Sequence, residues 1–445
     1  MKRKDPLAIV ILAAGKGTRM KSDLPKVMHK IAGRPMIGWL VDVAESLSPE
    51  KIIVVTAPGM NDVAAVVAPH PTVIQKEQRG TGDAVKPAIP LLKDFKGKVL
   101  ILLGDEPFLD KNVLEEMIGW DGLSVMAVRP LSPKGLGRMI ANEDGTLDRI
   151  VEEKDASPSQ KEIRLCNAGN FCVPAAHLGK WLDQLQSNNA QNEFYLTDLP
   201  KIAEKDGFLT YVVESDVQWI WGINTRSELA EHERMAQAML REKAMANGAT
   251  LVDPNTVYFS FDTVLGKDVV VEPNVFFGTG VKIGDGTIIH AFSHLEGVII
   301  EKNAQIGPYA RLRPGTHLKD GVKVGNFVEV KKTVVENGAK INHLSYIGDA
   351  VIGAKSNIGA GTITCNYDGY DKHKTTIGAG VFVGSNATLV APVDLGDGSF
   401  VAAASVVTHN VPKDALIVAR ARQLIKDGWA AIYRNKKNKQ KKESA

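Results

Sequence analysis

The run Leu12-Ala13-Ala14-Gly15-Lys16-Gly17-Thr18-Arg19-Met20, trailed by Pro25-Lys26, sets small residues and glycines beside cations directly after an apolar stretch. Backbone N–H groups in such a turn can close on phosphate oxygens. Arg19 and Lys26 can neutralise a triphosphate and its pyrophosphate leaving group. The turn is neither a GxGxxG dinucleotide fingerprint nor a Walker A loop, which argues against a dehydrogenase or an ATPase. Asp105 closes a second apolar run, KVLILLGD, and offers a hard oxygen that suits Mg²⁺ bridging protein and nucleotide phosphates. A different chemistry attaches to His343, in Ile341-Asn342-His343-Leu344-Ser345-Tyr346. An ammonium must lose a proton before its nitrogen can attack a thioester, and histidine is the side chain suited to taking it. A turn aspartate and a lone histidine are each common without function, so both depend on the company they keep.

Two kinds of architecture must hold these groups. From residue 7 to about 223, strand-like runs such as LAIVILAAG and KIIVVT alternate with helical patterns such as PMIGWLVDVAESL and GDAVKPAIPLL. That alternation predicts βαβ units and a mostly parallel, doubly wound, Rossmann-like α/β sheet, with ligands outside the carboxyl ends of its strands. Residues 224 to 247 lack Gly and Pro and are rich in Ala, Glu, Met and Leu, predicting a linker helix that ends at Gly248. After residue 260 an aliphatic residue followed by a small one recurs on a six-residue period. Ile352 and Ile358 obey it, as do Ile377, Val383, Leu389 and Leu395. Such hexads are the signature of a parallel β-helix, whose stacked coils bury a column of aliphatics that no single coil could bury. The expected organisation is an α/β domain over 1–223, a linker helix over 224–248 and an all-β repeat domain over 249–445 with a basic tail. The period breaks at 364–376, TCNYDGYDKHKTT, a loop well placed for a binding site on a stiff stack.

The first turn with its Pro-Lys resembles the sugar nucleotidyltransferases, whose signature is LAAGxGTRM after a strand. Gln75 and the run Glu77-Gln78-Arg79-Gly80-Thr81-Gly82 resemble that family's base-reading segment, and Leu103-Gly104-Asp105 its metal-binding strand end. Gly135-Leu136-Gly137-Arg138, Ile150 to Asp155, Cys166-Asn167-Ala168-Gly169 and Gly222-Ile223-Asn224 extend the likeness. They are similar to the bifunctional family that joins N-acetylglucosamine-1-phosphate uridylyltransferase to glucosamine-1-phosphate acetyltransferase. In the repeat half the runs around Arg313, Lys331 and 358–369 resemble the same family, so the likeness covers about residues 7 to 430. The resemblance implies that Gly137, Glu152 and Asn167 bind the sugar and that Asn224 joins Asp105 as Mg²⁺ ligand. It implies His343 as general base, Arg313 and Lys331 on the sugar phosphate, and Tyr346 and Asn357 on the same substrate. Asn366 and Tyr367 fall at the acetyl group, and Ala360, Ser385, Ala403 and Arg420 along acetyl-CoA. Glu329 is a candidate to orient the imidazole. A left-handed β-helix, a homotrimer and UTP and acetyl-CoA as co-substrates are implied as well. So is UDP-N-acetylglucosamine as product, feeding cell-envelope precursors. The sequence departs from the pattern at Leu103, where tyrosine is frequent, at Asp83, where histidine is common, and at Trp219 and Trp221, in a segment usually acidic.

With 445 residues, 44% apolar and 24% charged, the composition is that of a soluble globular protein long enough for two cores. A net charge of +3 does not imply nucleic-acid binding. The dense basic run, Arg434, Lys436, Lys437, Lys439, Lys441 and Lys442, reads as a solvated tail. Cys166, Cys172 and Cys365 form neither a disulfide framework nor a zinc motif, which fits a reducing compartment. The opening MKRKDPLAIVILAAG imitates a signal peptide, but its apolar run is accounted for as a buried strand ahead of the phosphate turn. No apolar stretch is long enough to span a bilayer, so a cytoplasmic enzyme of small-molecule substrates is expected. Two alternatives remain at this stage. One is a single-activity sugar-phosphate nucleotidyltransferase with a regulatory β-helix, which needs no His343; the other is an assembly scaffold, free to lose both metal ligands.

Overall fold

The computed structural model describes residues 5–216 and 222–443; Trp219 and Trp221 lie outside them. The chain divides into two compact units, Met1–Ala238 and Met239–Ala445.

In the first unit, seven strands form the path of a nine-stranded sheet. Their order is Thr210–Glu214, Leu123–Val128, Cys166–Pro174, Lys98–Leu103, Leu7–Leu12, Lys51–Thr56 and Thr72–Ile74. Neighbours along it pair in parallel except at Cys166–Pro174, which runs antiparallel to both of its partners. The other two strands, Arg138–Ala141 and Leu147–Val151, pair antiparallel with each other, and the first of them also meets Cys166. Leu7 to Ile11 and Val99 to Leu102 are buried on both faces, as parallel strands covered by helices must be. The run GDAVKPAIPLL is not one helix. It is α-helical over Thr81–Val85 and 3-10 over Lys86–Leu92, because Pro87 and Pro90 remove N–H donors from the helical ladder.

The Arg226–Ala246 helix follows. A reciprocal capping box starts it. Thr225 N donates to Glu228 Oε2 at 2.8 Å and Glu228 N to Thr225 Oγ1 at 3.2 Å. Gly248, at φ +98°, closes it in a conformation that side chains disfavour.

The second unit is a parallel β-helix, the left-handed hexapeptide class of fold. Three parallel sheets of ten, eight and eight short strands run along it. Ile283, Ile306, Val324, Ile347, Ile352, Ile358, Ile377, Val383 and Leu395, all first members of aliphatic-small pairs, are buried in one continuous core. The small residue is required because the coils are close. A Cβ on Gly359 would lie 2.5 Å from Val383 O, and one on Gly384 2.4 Å from Ala403 N. Ile341 pairs with Ile358, seventeen residues on, but Ile358 pairs with Val383, twenty-five on. The insertion responsible is shorter than the sequence suggests. Thr364 and Cys365 belong to the Ile363–Cys365 strand and the stack resumes at Thr375–Ile377, because Thr364 and Thr375 are buried and continue the coil.

Candidate active sites in the two units

In the nucleotidyltransferase-like unit the Gly-rich turn is shaped by Gly17, at φ +61°, where a Cβ would sit 2.6 Å from Lys26 Cβ. This close approach folds Lys26 back beneath the turn. Its Nζ forms an ion pair with Asp105 and donates to Asn224 Oδ1 at 3.1 Å; Arg19 Nη2 meets the same Oδ1 at 2.8 Å. Asn224, 119 residues after Asp105 in sequence, is held there from two sides. Ile223 N donates to Asp105 O at 3.0 Å, and Asn224 N donates to the capping carboxylate of Glu228 at 2.7 Å.

Two adjoining pockets share Thr81, Leu103 and Asp105. The larger, ≈ 380 Å³, is lined by Gly137, Glu152, Asn167, Asn224 and Arg19. The smaller, ≈ 340 Å³, is lined by Leu12, Ala13, Ala14, Gly15, Lys26, Gln75 and Gly80. Gly104 lets two strand ends approach: its N–H donates to Leu12 O at 2.9 Å, and a Cβ there would lie 2.8 Å from that oxygen. Burial raises the Glu152 carboxyl above its ordinary range, against the Thr197 hydroxyl that donates to it at 3.1 Å. Asn167 spends its Oδ1 on Gly169 N at 3.0 Å, which leaves Nδ2 for a ligand. Leu103 sits at the junction of the pockets, where it offers apolar contact and no hydroxyl.

The donor set fits Mg²⁺. A carboxylate and an amide oxygen converge on one cation already, Lys26, and no group of three or more His, Cys, Asp or Glu that could cage a metal occurs among the described residues. One or two protein oxygens plus phosphates is the usual provision for this ion.

Glu106 was not anticipated from sequence. Its carboxyl is buried in the larger pocket's wall and accepts from Asn170 Nδ2 at 2.6 Å, and burial followed by repulsion from Asp105 pushes it well above the ordinary carboxylate range.

In the β-helix unit, His343 is exposed on a coil edge. Its Nδ1 lies 2.9 Å from Asn326 Oδ1, the residue directly opposite it in the preceding coil. An amide oxygen only accepts, so Nδ1 carries the proton and Nε2 is left with the lone pair. Glu329 does not orient this ring. It lies in the neighbouring sheet, opposite Arg311 and Tyr346, and its carboxylate binds Arg313 Nη1 at 2.7 Å. Asn326 could have been found by counting one coil back from His343.

The same counting aligns the expected acetyl-CoA residues. Gly361 N donates to His343 O, Asn386 N to Ala360 O and Ala404 N to Ser385 O, and Arg420 Nη1 closes on Ala403 O at 2.9 Å. His343, Ala360, Ser385, Ala403 and Arg420 thus climb one edge, coil by coil. Asn357 lies in the strand beside Lys340 on that sheet. Tyr346 turns its hydroxyl toward Gly348, 2.5 Å from where a Cβ would stand. Asn366 is buried against Asp349, whereas the Tyr367 hydroxyl binds Gly369 O at 2.6 Å within its own loop and does not hydrogen-bond to His343.

Lys331 has a neighbour that sequence reasoning passed over. Lys372, in the insertion, brings its ammonium against that of Lys331, and this contact, with Arg313 beyond it, holds Lys331 below the usual lysine range. Like charges gathered at a surface mark a place for an anion. His373, 2.7 Å from Asp368, pins the insertion and drives that carboxyl far below the ordinary range.

Three family models match the chain: a MobA-like NTP transferase domain over residues 9–137, the bacterial transferase hexapeptide over 262–297 and a GMPPB C-terminal domain over 294–409. Among full-length relatives, a protein of Paramagnetospirillum magneticum is 49% identical over 434 residues, 96% of each chain. One of Zymomonas mobilis subsp. mobilis is 47% identical over 444 residues, 98% of this chain and 99% of its own. One of Sphingopyxis alaskensis is 49% identical over 444 residues, 98% of each. All three are named bifunctional protein GlmU, and identity of this order along both units means that the chain belongs to the bifunctional GlmU family.

Proposed function

We propose that the β-helix unit acetylates glucosamine 1-phosphate from acetyl-CoA and that the α/β unit then uridylylates the product from UTP, yielding UDP-N-acetylglucosamine for peptidoglycan precursors. The observation that carries this reading is that each unit gathers its own set of expected residues from distant parts of the sequence. Arg19, Lys26, Asp105 and Asn224 form one set; His343, Ala360, Ser385 and Ala403 form the other.

In the β-helix unit Arg313, Lys331 and Lys372 receive the sugar phosphate, with Tyr346 and Asn357 contacting the same sugar. The ammonium gives its proton to His343 Nε2, and the freed nitrogen pair attacks the thioester carbon. The C–S bond then breaks, His343 returns its proton to the sulfur so that coenzyme A leaves as thiol, and the new amide nitrogen gives its remaining extra proton to solvent. Asn366 and Tyr367 border the acetyl group, while Ala360, Ser385, Ala403 and Arg420 line the path of the carrier.

In the α/β unit the sugar 1-phosphate is already an anion, so no general base is needed and positioning dominates. Gly137, Glu152 and Asn167 hold the sugar. Residues 12–15 line the triphosphate, with the N–H groups of Ala14 and Gly15 available to its oxygens while Ala13 N is spent on Val55 O at 2.8 Å, and Gln75, Gly80 and Thr81 face the base. Arg19 and Lys26 stabilise charge as the bond from the α-phosphorus to pyrophosphate breaks. Asp105 and Asn224 would hold Mg²⁺, which supplies charge neutralisation at the phosphates. A homotrimer and a cytoplasmic setting belong to the same reading; three cysteines without disulfides support the latter, and no described helix is long and apolar enough to cross a membrane.

The test is one reaction containing glucosamine 1-phosphate, acetyl-CoA, UTP and Mg²⁺, with free thiol and pyrophosphate followed separately. Both should appear. His343→Ala should abolish thiol release yet spare pyrophosphate release from pre-acetylated sugar, and Asp105→Ala should do the reverse. Loss of both activities in either folded variant contradicts two separate centres.

A further inference from the structure

Gln75 follows the Thr72–Ile74 strand with its backbone N–H on Thr56 O at 2.9 Å, and its side chain is buried in the wall of the smaller pocket. The amide Nε2 donates to Asp83 Oδ2 at 3.1 Å, while Asp83 Oδ1 takes Arg79 Nη2 at 3.0 Å. Asp83 is itself buried, at 7% exposure. A carboxylate paired with a guanidinium has lone pairs and no proton to donate. Of the two nearly isosteric orientations of the Gln75 amide, only the one with nitrogen toward Asp83 makes a bond. The other sets two oxygens against each other and leaves a buried acceptor unpaired, which is costly. Gln75 Oε1 is thereby held as a fixed acceptor at a pocket wall, and no hydrogen bond from a described residue reaches it.

We propose that Asp83 is a positioning residue that sets nucleobase preference by locking the Gln75 amide. A locked acceptor matches the N3–H of uracil and opposes the N3 lone pair of cytosine. An unlocked glutamine serves both bases by turning over. This inference rests on Gln75 as a base contact. It adds a cause for uridine preference that lies outside the contact itself, at a position where the chain departs from the histidine common in its family.

The experiment compares kcat/KM for UTP and CTP, by pyrophosphate release with N-acetylglucosamine 1-phosphate and Mg²⁺. Asp83→Asn, which can donate or accept at the same place, should lower the UTP:CTP ratio at least tenfold, with CTP efficiency rising. General loosening of the pocket would instead depress both substrates together. Gln75→Glu alone should lose UTP efficiency by setting two carboxylates face to face, and adding Asp83→Asn to it should restore an oriented acceptor and with it the ratio. If Asp83→Asn does not fold, Asp83→Ser, whose hydroxyl can donate or accept, carries the same expectation. An unchanged ratio in a folded Asp83 variant, with Gln75→Ala collapsing it, overturns the lock and leaves the base contact standing. An unchanged ratio and UTP efficiency in Gln75→Ala overturns the base contact itself.

Discussion

His343 and Lys331 are each governed by a neighbour that a linear reading does not pair with them. Asn326 accepts the Nδ1 proton of His343 and so leaves the lone pair on Nε2, where the proposed base needs it. Asn326→Leu should therefore lower kcat for acetyl transfer by about ten- to a hundredfold, a fraction of what a general base contributes, with little change in KM. Single-turnover thiol release checks this; a wild-type rate would mean that the ring is held otherwise. Lys372 acts through charge. Its ammonium depresses Lys331, so the Lys331 cation is lost, as pH rises, earlier than for an ordinary lysine. Affinity for glucosamine 1-phosphate should fall on the alkaline side below the usual lysine range. Lys372→Gln should raise KM at neutral pH, by removing a cation, yet move that alkaline limb to higher pH. A pH profile of KM with an unmoved limb would rule out the coupling. Neither partner is legible from residue type alone, for different reasons. Asn326 becomes visible only once the coil register is known, and Lys372 lies in the stretch where periodicity stops and the backbone folds on its own hydrogen bonds.

At the scale of elements, the stack is both scaffold and ruler. The hexads were legible because each coil repeats one packing requirement, and Ile352, Ile358, Ile377 and Val383 are buried as the period demands. The run of residues 82–92 reads as one helix from its apolar pattern, but Pro87 and Pro90 turn its second half into a 3-10 segment. Asn224 was identified by family likeness rather than by physics; what places it is the Thr225–Glu228 capping box and the Ile223 bond to Asp105, neither of which periodicity reveals. The close approach of coils yields its own prediction. In Gly359→Ala the new Cβ would meet Val383 O and Ser385 N at 2.5 and 2.6 Å, both backbone atoms that cannot swing aside. The coil must open, at a cost of about 1–3 kcal/mol typical of overpacking. Since Ala360 and Ser385 flank that contact, KM for acetyl-CoA should rise as Tm falls. A lower Tm with unchanged KM would mean that the edge of the stack does not bind the carrier.

Across the whole molecule, two activities rest on two cores that share no residue. One runs from Ala249 to Val411 inside the β-helix, and the other from Ala8 to Ala203 on one face of the α/β sheet. Cavity-forming substitutions should therefore separate the two activities in temperature. Ile347 is fully buried in the first core and Val125 in the second. Removing the branched end of a buried isoleucine costs roughly 2–5 kcal/mol, and a unit of this size loses about 2–4 °C per kcal/mol. Ile347→Ala should lower the inactivation temperature of thiol release by on the order of 10 °C and leave that of pyrophosphate release near wild type. Val125→Ala should act in the opposite sense and more weakly, because it removes fewer atoms. The measurement is residual activity of each kind after brief heating of the full chain, with both assays run on the same aliquots. If Ile347→Ala brings the two activities down together, the cores unfold as one cooperative unit, and the contrast in periodicity between the halves describes their architecture but not their stability.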